Sequence, residues 1–151
     1  MHTLFIDYLD RLQELHTDLR RAIEGLPQDA LDWSPGPGMN SIAVLAAHTT
    51  GALRYWIGDV AGQDPSGRVR ETEFHTKDLD AAALIARLDA AFAHSRTVLE
   101  RLALSDLESK RLSPHDGREL TVAWALAHAL AHTAIHAGHI QLTRQLWDQR
   151  R

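Results

Sequence analysis

The stretch LTVAWALAHALAHTAIHAGHIQLTRQLWDQ, residues 120–149, decides how this chain is read. It is rich in alanine, the best helix former, and contains neither proline nor a run of turn residues, so it is expected to form one long helix. At about 100° per residue, with His128 as the origin, His132 falls near about 40°, His136 near about 80° and His139 near about 20°. Trp124, Ile135, Leu142 and Leu146 lie in or beside this arc, and Thr133, Gln141, Arg144 and Asp148 lie opposite it. The spacing therefore predicts that the histidine stripe faces the interior.

Three further segments carry helical periodicity. Residues 3–24 place Phe5, Leu9, Leu12, Leu19 and Ile23 on one stripe, with His16 in its middle and Gly25 as the stop. Residues 41–59 begin at Ser41, a good N-cap, and set His48 beside Val44, Leu45, Ala52 and Tyr55. A third helix starts at 78–80, runs to about 104 and presents Leu84, Leu88, Ala91, Val98 and Leu102. The connections are 26–40, 61–77 and 105–119, with a helical turn possible at 105–110 and no strand pattern. The expected architecture is all-α, a four-helix bundle formed as a single domain over 1–151. The 61–77 connection is long enough to cross a whole helix, so the second and third helices can run parallel.

Composition narrows the function. Hydrophobic residues are 44% of the 151, charged residues 24%, and the net charge is −4, the profile of a soluble globular domain. The sixteen Lys and Arg are dispersed, which argues against nucleic acid and an anionic membrane as partners. No apolar stretch is long enough to span a bilayer, and the N-terminus has no signal-peptide pattern, so a cytoplasmic location is expected. There is no cysteine, which excludes disulfides, thiolate ligands and a cysteine nucleophile. The unusual feature is ten histidines, most of them in helices.

Burying an imidazole without a partner costs on the order of 1–3 kcal/mol. Several in one core need a shared partner, and a divalent metal satisfies the most nitrogens at once. Two histidines at i and i+4 can hold one ion from a single helix face. Both His128/His132 and His132/His136 have that spacing, and the angles do not choose between them. His48 is the natural third ligand. Three neutral imidazoles leave an open coordination position, the pattern of catalytic zinc sites.

The segments NSIAVLAAH (40–48), WSPGPG (33–38) and HTAIHAGHIQ (132–141) resemble the DinB/YfiT-like superfamily of four-helix bundles. The resemblance covers nearly the whole chain. It implies a divalent ion, commonly zinc or nickel, held by His48, His132 and His136, with His128 and His139 outside the ligand set as supporting or core residues. Some relatives carry a carboxylate where this chain has His132, which leaves the metal's identity open. Characterised relatives transfer or isomerise with the help of a low-molecular-weight thiol such as bacillithiol or mycothiol, and one is a proposed metal-dependent hydrolase. The implied activities are thus transfer of a thiol to a small-molecule electrophile, hydrolysis by metal-activated water, or non-catalytic binding of a metal or small ligand. A homodimer is expected from the family habit, although no stripe here demands it.

Other residues carry competing readings. His16 is a candidate general base or a capped core histidine. Tyr55 either orients a ligand or packs with its hydroxyl at the rim. His94 is expected on the surface, and His2, His75 and His115 are assigned no role. The four tryptophans are packing residues. Arg54 and Arg144 could reach a carboxylate-bearing substrate, with exposed charge as the default.

Overall fold

A computed structural model describes residues 1–150. The long elements are α1 (Thr3–Ile23), α3 (Ile42–Leu53), α5 (Ala81–Arg101) and α6 (Val122–Asp148), and together they form the expected four-helix bundle. Two short helices sit in the connections, α2 (Gln28–Asp32) and α4 (Arg70–Glu73), with a 3₁₀ turn at Leu104–Glu108. The boundaries follow local chemistry. Ser41, Asp80 and Thr121 accept hydrogen bonds from the amides of Val44, Ala83 and Trp124 as N-caps, satisfying donors that the first turn leaves free. Gly25, at φ +73°, takes the left-handed conformation that follows α1.

Two local features depart from the sequence reading. The second helix does not end at 59. Its final stretch, Arg54–Ala61, is wound as a π-helix, a widened turn that recurs near functional sites. Within it Gly58 leaves room for the Arg54 guanidinium and the His94 ring, since a Cβ there would lie 1.8 Å from Arg54 Nη1 and 2.8 Å from His94 Nε2. The 105–119 connection, read as free of strands, contains an antiparallel hairpin, β1 (Lys110–Leu112) and β2 (Glu119–Thr121). Strands of three residues are too short to show an alternation.

In the bundle α1 packs on α5 and α6, and α3 packs on the same two helices, so α1 and α3 face each other across the diagonal. Gly58 approaches His94 and Gly62 approaches Val98. Positions thus rise together along the second and third helices, which run parallel as the long connection allows. His48 meets His132 and His136 while Trp56 meets Trp124 and His128, so α3 and α6 are antiparallel. At the far end Arg144 Nη1 donates to the carbonyls of Arg21, Ala22 and Glu24 at 2.8, 3.2 and 3.0 Å, capping the C-terminus of α1 with a cation from α6.

The rotation of α6 differs from the helical-wheel expectation. Its core face is Val122, Ala125, Leu126, Ala129, Thr133, Ala137, Ile140 and Thr143. Ile135 is 59% exposed and Leu142 50%, whereas Thr133 is 2% exposed. The Thr133 hydroxyl returns to the Ala129 carbonyl at 2.8 Å, which lets it sit in the core without an outside partner. Small residues on this face bring α6 close to α1 and α3, and the histidines occupy its edge rather than its centre.

Replacing Arg144 with Met should lower stability by about 1–2 kcal/mol, because the last carbonyls of α1 lose a charged donor. Urea unfolding checks this, and Arg144→Lys should recover only part of the loss, since one ammonium cannot reproduce the guanidinium fork.

Candidate metal centre

α3 is apolar almost all round and buried from Ile42 to Thr49. His48 lies on it between Leu45 and Ala46 of one apolar cluster and Leu53 of another, and it is 8% exposed. The edge of α6 that meets α3 supplies His132 and His136, both half-buried. The His48 ring centre is 5.0 Å from each of theirs, and those two are 4.4 Å apart. One ligand-type nitrogen from each of the three residues lies within 4.8 Å of the others. Nitrogens bound tetrahedrally to zinc at about 2.05 Å stand about 3.3 Å apart. The pair His48 Nε2 and His132 Nε2, at 3.2 Å, already has that spacing.

The protonation of these rings tests whether a cation fits. His48 Nδ1 donates to Glu73 Oε2 at 2.8 Å, so its Nε2 carries a lone pair toward His132. His132 Nδ1 is buried with no hydrogen-bond partner. If His132 is protonated at Nδ1, that N–H is orphaned and two lone pairs face each other. If it is protonated at Nε2, the buried Nδ1 lone pair is orphaned instead. A shared cation removes the first conflict. Burial, reinforced by the charges of His136 and His48, pushes His132 down to about 3. Burial, with the charges of His48 and His139, pushes His136 down to about 4. Both are therefore neutral near pH 7, the form that binds metals.

Glu73 escaped the sequence reading. It lies in the 61–77 connection, at the end of α4, and is almost fully buried. Besides accepting from His48 it takes a bidentate contact from Arg68, with Nε to Oε1 at 2.6 Å and Nη2 to Oε2 at 2.8 Å. Burial alone would raise its carboxyl, but the hydrogen bonds from Arg68 and His48 hold it below the usual range. A carboxylate behind a histidine fixes its tautomer and ring plane. Gly51 makes the room, since a Cβ there would sit 2.1 Å from Glu73 Oε1. A glycine inside a helix costs about 1 kcal/mol relative to alanine. Gly51, three residues after His48, was the one sequence signal that something else comes close.

A cavity of about 250 Å³ opens beside His48 and His132, with Tyr55, Trp56, His128 and Arg70 among its lining. Tyr55 does not point a free hydroxyl into it. That hydroxyl accepts from the His115 amide at 3.1 Å and shares a hydrogen bond with Ser113 Oγ at 2.7 Å. It thereby anchors the turn of the β1–β2 hairpin over the site. His128 is outside the triad, stacked on Trp124 at 4.8 Å and edge-on to Trp56 at 4.6 Å. His139 is exposed, with its Nδ1 3.4 Å from that of His136.

Four other expectations change. His16 is not part of this cavity. Its Nε2 is 2.7 Å from Asp89 Oδ1 and its ring stacks on Phe92, so it is a satisfied histidine between α1 and α5. His94 is half-buried rather than a surface residue, with its side chain 23% exposed and its buried Nε2 3.5 Å from Asp64 Oδ2. Burial, then the charge of Arg54, lowers its pKa. Arg54 is held by Asp59 at 2.8 Å and the Asp64 carbonyl at 2.9 Å, and Arg144 caps α1. Neither faces the cavity.

Glu73→Gln should weaken zinc binding about 10–100-fold without unfolding the chain, as read by competition with a chromophoric chelator. The metal-free chain should also lose stability on acidification. The folded pKa values of His132 and His136 lie below the unfolded value of about 6.5, so the unfolded chain binds more protons in this window. The histidine contribution is complete above about pH 6.5 and falls until about pH 3, through the folded values of His136 and then His132. Urea midpoints across this range check the slope, and His132→Gln should flatten it.

Comparisons with known proteins agree with the architecture. The sequence matches the model of the DinB superfamily over residues 11–140. No curated protein matches it. Among solved structures, YfiT from Bacillus subtilis, described as a probable metal-dependent hydrolase with an unusual four-helix bundle topology, is 16% identical. That comparison covers 99% of this chain and 91% of YfiT, with a TM-score of 0.74. A DinB-like protein, also from Bacillus subtilis, is 14% identical over 96% of this chain and 94% of its own, with a TM-score of 0.72. A mycothiol-dependent maleylpyruvate isomerase is 17% identical over 89% of this chain and 59% of its own, at a TM-score of 0.66. At such identities the structural likeness speaks for the fold, and the sequence match extends over most of the chain: this protein belongs to the DinB superfamily.

Proposed function

We propose that this protein is a metal-dependent enzyme that transfers a low-molecular-weight thiol to a small electrophile, with one zinc or nickel ion held by His48, His132 and His136. The observation that carries this reading is the convergence of three imidazoles from two helices beside an open cavity in a chain without cysteine. Three neutral ligands leave one coordination position for an outside ligand. The ion would supply one thing there, holding the sulfur of the cosubstrate as thiolate near neutral pH.

The chain's own groups do the rest. Glu73 and Arg68 fix the His48 ring, and the turn anchored on Tyr55 covers the cavity. The sulfur–carbon bond forms as the leaving group departs with its bonding electrons, and the thiol proton goes to solvent. Both carboxylates at the site are engaged, Glu73 by Arg68 and His48, and Asp116 by Arg118. Neither is free to act as the general base that activates water in zinc proteases, which favours a nucleophile that needs no base. The second reading is hydrolysis, supported by the fold match to YfiT along nearly the whole chain.

The test is turnover of chlorodinitrobenzene by zinc- or nickel-loaded protein with bacillithiol, mycothiol or glutathione, beside nitrophenyl acetate without thiol. Thiol-dependent turnover lost in His48→Ala and His136→Ala supports transfer. Ester hydrolysis lost in the same variants, with no thiol turnover, replaces it with the second reading.

A further inference from the structure

The cavity beside the triad runs against the charge of the chain. The sequence carries a net −4, yet Arg68, Arg70 and Arg118 all line this pocket, with Asp116 as the one carboxylate among its lining residues. The three arginines are not equivalent. Arg68 is committed to Glu73 through both Nε and Nη2. Arg118 gives Asp116 its backbone amide and Nε, at 3.2 and 2.5 Å, and its terminal nitrogens have no hydrogen-bond partner among the described residues. Arg70 has no carboxylate partner there and only lies over the Phe74 ring, 4.8 Å from its centre. Three neutral histidine ligands would leave the charge of a divalent ion uncompensated as well. A cleft lined with unbalanced positive charge concentrates anions, and the planar guanidinium fork matches a carboxylate. Trp56 and His128, packed edge to face at 4.6 Å, give the same cavity an aromatic, weakly polar wall.

We propose that this cavity selects an anionic substrate, a small molecule whose carboxylate pairs with Arg70 and the free end of Arg118 while its flat apolar body lies against Trp56 and His128. This deepens the proposed function, naming the class of electrophile, and rests on it only for the role of the neighbouring ion. The arginines act by recognition at one end of the substrate, leaving the other end toward His48 and His132. They also explain why two connections without helical periodicity are folded against the metal centre, since 61–77 brings Arg70 and the β1–β2 turn brings Arg118.

Benzoate and its neutral analogue benzamide are suitable probes, titrated into zinc-loaded and metal-free protein by isothermal titration calorimetry, with zinc content measured alongside. Benzoate should bind at least about tenfold more tightly than benzamide in both forms, the difference expected of a charged pair. Arg70→Gln and Arg118→Gln should each erase most of that preference while zinc content stays at the wild-type level. Equal binding of the two probes, or a preference untouched in both arginine variants, overturns the proposal even if zinc is bound. A preference present only with zinc also overturns it, because the carboxylate would then be recognised by the ion. The opposite result, a preference lost in the arginine variants in protein that takes up no zinc, sustains the anion subsite and removes the metal reading instead.

Discussion

The constraint on which this site depends is the cost of placing polar rings in an apolar bundle. His48 sits on a helix built mainly of alanine, valine, leucine and isoleucine and is 8% exposed. Every feature around it answers that cost. Glu73 accepts a hydrogen bond from its Nδ1, Arg68 neutralises Glu73, Gly51 leaves the volume the carboxylate occupies, and the edge of α6 faces Nε2. A partly satisfied buried network is worse than none. Within this cluster, among the described residues, His132 Nδ1 is the buried nitrogen left without a hydrogen-bond partner, and an ion there would reorganise the hydrogen bonding.

The division of labour between helices and connections follows from their rigidity. Ligands to an ion must be held to within a fraction of an ångström, and helices packed on both flanks provide that. The carboxylate that orients His48 comes from α4 and further cavity-lining groups from the hairpin turn, segments that can vary without disturbing the core. The π-helical stretch joins the two roles. Its extra width carries Tyr55 and Trp56 at the cavity and sets Asp59 where it binds Arg54 and Ser66, fastening the start of the 61–77 connection to the bundle.

The histidine stripe shows how far a helical wheel reaches. Periodicity identified the helix that faces His48 and left two histidine pairs open, and it placed Ile135 and Leu142 inside and Thr133 outside, the reverse of what is found. A threonine that returns its hydroxyl to its own helix is small and self-satisfied, so it packs where a larger apolar side chain would hold α6 away from α1. Hydrophobicity alone does not register that close approach. For His16 the inward direction was legible, whereas its partner Asp89, seventy-three positions away in sequence, was not.

By itself the sequence determined the four long helices, their caps at Ser41 and Gly25, a second connection long enough for a parallel course, and an inward stripe of imidazoles on the last helix. These are local or periodic properties, and the physics that sets them acts within a few residues. Only the tertiary structure decided that Glu73 and Arg68 stand behind His48, that Tyr55 holds a hairpin, and that Arg70 and Arg118 share one cavity. Those pairings join segments whose separation along the chain carries no period, and they are fixed by which charges and volumes the packed helices leave to be matched.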